Sequence, residues 1–68
     1  MRYGNLRAEM ARKGVSIEEM SKALDIHRNS VANKLNGDTS FTIEEAFTIW
    51  KKFFPERTMD YLFATEED

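Results

Sequence analysis

The sequence predicts an all-α domain, and three observations carry that prediction. Apolar residues recur at three- and four-residue intervals along the whole chain. No stretch alternates polar and apolar residues for long enough to form a half-buried strand. Two capping boxes, Ser16-x-x-Glu19 and Thr42-x-x-Glu45, mark helix starts. With 68 residues and no repeat, low-complexity stretch or long linker, residues 1–68 read as a single domain of five helices. A chain of this size buries only about 60% of the surface that its unfolded form exposes, so a modest stability is expected.

The first helix is expected over 3–13. Leu6 and Met10 lie at i,i+4 spacing with Tyr3 before them, and Gly14 supplies the stop. The second opens at the Ser16 box, a cap worth about 1 kcal/mol. Val15 and Met20 occupy the staple positions there, and Met20 and Leu24 make the inward stripe. Glu18 and Glu19 are adjacent carboxylates, but a helix N-terminus favours negative charge, so they read as capping and not as an acid–base pair. The third helix, 28–36, points Val31 and Leu35 inward and ends at Asn36-Gly37. The fourth opens at the Thr42 box, carries Ile43, Ala46, Phe47, Trp50, Phe53 and Phe54 along an apolar face, and stops before Pro55. A last short turn follows Thr58, and residues 64–68 are expected to fray. Trp50, Tyr61, Leu62 and Phe63 exceed what so small a core can cover, which suggests a dimer interface.

Composition narrows the function. The chain has no cysteine and one histidine, so neither a disulfide framework nor a metal site is expected. No apolar run approaches the ~18 residues of a membrane span, and the start, MRYGNLRAEM, has charges where a signal peptide would be apolar. A cytoplasmic protein is the expectation. The net charge of −2 hides an asymmetry: residues 1–37 hold seven Lys/Arg against four Asp/Glu, whereas 38–68 hold three against eight. One end tolerates polyanions and the other does not.

The third helix raises the functional question. At about 100° per residue, its buried direction lies midway between Val31 and Leu35, so Asn33 points outward with Asn29 beside it. Ser30, Ala32 and Asn36 flank them, and Arg28 can reach forward from the helix start. A plain solvent face favours Glu, Lys and Gln; each outward Asn costs about 0.5 kcal/mol relative to Ala. Such a local inconsistency belongs at a working surface. A helix of nine residues, roughly 13 Å long, enters a major groove about 12 Å wide. There Asn pairs with adenine, Arg with guanine, and Ala meets a thymine methyl. The free N–H groups near Ile17, at the start of the preceding helix, suit a backbone phosphate.

The stretch SIEEMSKALDIHRNSVANKLNG resembles the helix-turn-helix of the Cro/CI (XRE) regulators of phages and bacteria. Ser16, Met20, Leu24, Ile26, Val31, Asn36 and Gly37 fall in register with that family's pattern. NLRAEMARKG is similar to its first helix, FTIEEAFTIWKKF to its fourth and MDYLF to its closing turn, so residues 5–63 are covered. The resemblance implies a five-helix lambda-repressor-like DNA-binding domain with its helix-turn-helix at about 17–36. It places base-reading positions on His27, Arg28, Asn29, Ala32 and Asn33. Phosphate-contacting positions fall on Ile17, Asn36, Thr39 and Ser40; Lys34 is counted with them, and Arg12 is a further candidate cation. Four departures stand out. Ile17 replaces a phosphate-gripping Gln, and Ser21 replaces an Ala. Asp25 replaces the turn Gly, where Asp tolerates the left-handed backbone better than most residues. His27 replaces a Ser or Thr cap, leaving a poor cap unless its ring is used elsewhere.

The expected function is therefore a sequence-specific regulator, a phage or prophage repressor that occupies a double-stranded DNA operator in the bacterial nucleoid. It would act as a homodimer, at least on DNA, with half-sites about one helical turn apart. No cofactor or small-molecule ligand is expected, and the chain leaves no room for an effector domain. The alternative is a protein-interaction module on the same scaffold, with an antitoxin-like or anti-repressor partner. Its support is the acidic balance, Ile17 and the surplus aromatics. An enzyme is not expected, since no phosphate loop, metal cluster or nucleophile–base pair occurs. Asp25, His27 and Ser30 are near one another in sequence, but on a turn and a helix start without a pocket.

Overall fold

The computed structural model describes residues 3–65. It contains α1 (Gly4–Lys13), α2 (Ile17–Leu24), α3 (Arg28–Asn36), α4 (Ile43–Phe53) and α5 (Met59–Leu62), with no strand among the described residues. Residues 66–68 of the tail expected to fray lie outside them. No described helix is long and apolar enough to cross a membrane.

Most boundaries follow from local chemistry. At α2, the Glu19 amide donates to Ser16 Oγ at 3.0 Å and the Ser16 amide to Glu19 Oε1 at 2.9 Å. Thr42 and Glu45 repeat this reciprocal pair at α4, with the same two distances. Thr58 caps α5 by accepting from the Tyr61 amide. Gly14, with φ of 71°, turns the chain out of α1 in a left-handed conformation that glycine adopts without a Cβ penalty. The start of α1 departs from expectation. Tyr3 lies outside the helix with φ of 57° and gives no side-chain cap. Its buried ring holds that start instead, edge-on to Phe41 at 5.2 Å and to Phe63 at 6.1 Å.

α2 packs on α3 and α4, and α5 bridges α1 and α4. Leu6, Met20, Val31, Ile49, Phe54 and Leu62 are fully buried at the centre. Two expectations about the apolar surplus are corrected here. The buried side of α4 runs through Ala46 and Ile49, whereas Ile43 is 84% and Phe47 48% exposed. Two apolar stripes lie side by side on this helix, and α2 and α5 cover the Ala46–Ile49 one. At the C-terminal end, Leu62 is core, Phe63 and Trp50 are half-buried, and Tyr61 alone of the four is exposed, at 40%. The two most exposed large apolar side chains, Ile43 and Phe47, thus sit on α4.

Candidate nucleic-acid interface

The interface is built by α2, the turn 25–27 and α3. Asp25 adopts φ of 59° and ψ of 44°, and the amides of Asp25 and Ile26 both return to the Ser21 carbonyl. This closes α2 with a residue that tolerates the left-handed region, as anticipated for the position. Ile26 is half-buried against the core, so the turn is pinned from below.

His27 then starts α3. Its Nδ1 accepts from the Asn29 amide at 3.1 Å, which corrects the expectation of a poor cap: the imidazole does what a Ser or Thr hydroxyl would do. Accepting at Nδ1 places the ring proton on Nε2, which leaves an N–H donor for a ligand. The far end of α3 closes at Gly37, whose φ is 92° and whose amide reaches the Asn33 and Lys34 carbonyls.

Between these caps the helix has two opposite faces. Val31 and Leu35 are 0% and 2% exposed. Arg28, Asn29, Asn33 and Asn36 are exposed, and Ser30 and Ala32 are half-buried beside them. Among the described residues, the side chains of Arg28, Asn29 and Asn33 have no hydrogen-bond or ion-pair partner in the chain. The small Ala32 leaves the ridge clear of bulk.

The positions assigned to phosphate divide. Ile17, Asn36, Thr39 and Ser40 are all exposed. The N-terminal amides of α2 at Ile17 and Glu18 lie beyond the capping bonds, which engage Glu19 and Met20. Lys34 is different. Its ammonium donates to the Ser40 carbonyl at 3.0 Å and lies 3.3 Å from Glu45, with its side chain 14% exposed. It fastens the loop after α3 to the start of α4, so its charge is used inside the fold. Arg12 is likewise engaged, with Glu9 at 2.6 Å and Glu56 at 3.5 Å.

Arg7 was not among the sequence candidates. It is half-buried on α1, without an ion-pair partner among the described residues, and lines a shallow concavity with Met10, Ile17 and Leu35. It thereby stands beside the start of α2. Its spacing from Leu6 and Met10 was visible, but nothing local shows which helix α1 lies against. A second concavity, lined by Glu18, Ser21, Lys22, Ile26, His27 and Arg28, follows the α2–α3 junction.

The electrostatics are nearly balanced. Residues 16–37 carry Lys22, Arg28 and Lys34 against Glu18, Glu19 and Asp25. With Lys34 paired and Glu19 in its capping box, the open charges of this stretch are Lys22 and Arg28 against Glu18 and Asp25, and Arg7 of α1 adds one cation beside it. Such a surface offers directed hydrogen-bond groups more than a strong positive field. No protein-family model, curated protein or solved structure matches the chain.

Proposed function

We propose that the chain is a sequence-specific double-stranded DNA-binding regulator of the Cro/CI-like kind, a lambda-repressor-like domain that presents α3 to the major groove of an operator. One observation carries this reading: Arg28, Asn29 and Asn33 form an open polar ridge, while the opposite side of the same helix is sealed by Val31 and Leu35. Unpartnered amides on a helix of limited propensity are explained if base edges are their partners. In this reading His27, Arg28, Asn29, Ala32 and Asn33 face the bases. Ile17 and Glu18 amides, Arg7, Asn36, Thr39 and Ser40 face phosphates, and two copies occupy the two halves of the site without catalysis.

The test is selection of bound duplexes from a random pool in dilute buffer, followed by titration against salt. A single enriched motif is expected. With Arg7 and Lys22 the open cations outside the base-reading set, log affinity should fall against log salt with a slope of about −2 per protomer, shallow for a DNA reader. Failure to enrich any duplex overturns the reading. It would favour the second one, a protein-interaction module, which draws on the near-neutral charge of 16–37 and the uncovered Ile43 and Phe47.

A further inference from the structure

We infer that the outer face of α4 is a self-association surface, on which a second copy of this chain docks its own α4 antiparallel about a two-fold axis near Phe47 and Thr48. The inference deepens the operator reading by giving its two copies a contact, and its test contains no DNA.

The starting observation is an apolar ridge with no cover. Ile43 is 84% exposed, in a chain whose core takes in Ile49 of the same helix completely. Phe47 follows one turn later at 48% exposure, and its ring meets the half-buried Trp50 edge-on at 5.6 Å. Uncovered neighbours of this kind mark contact surfaces.

Charge decides the occupant. Glu44 and Lys51 are seven residues apart, so at about 1.5 Å rise and 100° per residue they lie on one flank of the ridge, roughly 10 Å apart. That separation is too great for a mutual ion pair. Both are exposed; Glu44 has no ion-pair partner among the described residues, and the Lys51 ammonium lies over the Phe47 ring at 5.4 Å. The midpoint between them falls beside Phe47. A two-fold axis there places Glu44 of each copy against Lys51 of the other on the same flank, twice over. In parallel pairing this flank would meet the opposite flank of the partner, and the Glu44–Lys51 complementarity would go unused. The flank is thus complementary to itself only in the antiparallel sense, as an isologous contact requires.

The ridge is small against the ~800 Å² per partner of a stable complex, so association is weak and becomes effective when two copies are held on one ligand. Sedimentation of the full chain without DNA, from about 10 μM to about 1 mM, should show the mean mass rising above the 8.0 kDa of one chain toward two. Ile43→Glu should weaken association by ~10-fold or more, and an unchanged circular dichroism spectrum is expected because the position is exposed. Glu44→Lys and Lys51→Glu should each weaken it several-fold at low salt, and the two together should restore it. A single-chain mass at every concentration overturns the inference and assigns the ridge to another occupant. So does a dimer indifferent to Ile43→Glu, or a double reversal without recovery. None of these outcomes bears on duplex selection, so the two proposals fail separately.

Discussion

Glu9 and the charged side chains about it are partnered to one another, whereas Arg28, Asn29 and Asn33 on the outer face of α3 have no hydrogen-bond or ion-pair partner among the described residues. Glu9 is only 4% exposed, yet its Oε1 accepts from Arg12 at 2.6 and 2.9 Å. Its Oε2 accepts from the Tyr61 hydroxyl at 3.2 Å and lies 3.4 Å from Arg57. Arg12 and Lys13 continue the network to Glu56, and the Lys13 ammonium also takes up the Phe53 carbonyl at the end of α4. This cluster joins α1, the end of α4 and α5, and its charges are consumed in doing so. Arg28, Asn29 and Asn33 hold nothing together. The contrast separates polar residues that build the fold from those that the fold merely displays, and only the second kind remains available to a partner.

The largest effect belongs to the apolar anchor beneath the first region. α5 has four residues, and Leu62 is its only buried one. Leu62→Ala should destabilise the chain by about 2–5 kcal/mol in denaturant unfolding, since a fully buried side chain leaves a cavity. A loss well under 1 kcal/mol would show that α5 is dispensable and the Glu9 cluster self-supporting.

Next comes Asn33→Ala. It should cost about 1–3 kcal/mol of affinity for the selected duplex and relax preference at one base pair. Folding stability should be equal or slightly higher, because Ala is the better helix former. Reduced stability with unchanged affinity would move Asn33 into the first class of polar residues.

Asp25→Gly is smaller. A left-handed φ of 59° strains any side-chain-bearing residue, so glycine should raise the thermal midpoint, by the equivalent of about 0.5–1 kcal/mol. A lowered midpoint would mean that the Asp25 side chain contributes something beyond tolerance of the turn.

The most gradual change is acid destabilisation of the Glu9 cluster. The hydrogen bond from Arg12 holds the Glu9 carboxyl below its ordinary range, with the Arg12 and Arg57 charges adding to it against the opposing effect of burial. The hydrogen bond from Lys13 does the same for Glu56. A carboxylate with a depressed folded value contributes stability that is fully present above its unfolded value and lost as pH falls through the folded one. Stability should therefore be level near neutrality with respect to these groups and decline below the ordinary carboxylate value of about 4.3. Urea midpoints across that range should show a shallower decline in Glu9→Gln; an identical decline would place the acid sensitivity elsewhere.

Helix ends were the most legible part of this chain. The Ser16 and Thr42 boxes, Gly14, Gly37 and the stop before Pro55 are decided within three or four residues, because the hydrogen bonds they satisfy are local. The outward direction of Asn29 and Asn33 was legible for the same reason, since Val31 and Leu35 lie one turn apart on the opposite side. His27 was misjudged because a ring nitrogen two residues from an amide can substitute for the usual hydroxyl only in a particular rotamer, which composition does not reveal.

What lay beyond the sequence was decided by contacts distant along the chain. On α4, periodicity shows two neighbouring apolar stripes, and the packing of α2 and α5 chose which became core. Lys34 looks like a free cation until the loop folds back and brings the Ser40 carbonyl and Glu45 to it. Arg7 gains its place beside Ile17 only when the folded chain brings both to the rim of one concavity. Local chemistry thus determined where most of the helices begin and end and which side of α3 faces out, because those choices are made within one or two turns of backbone. Tertiary structure decided which side chains are consumed and which remain open, because that depends on neighbours that only packing brings within reach.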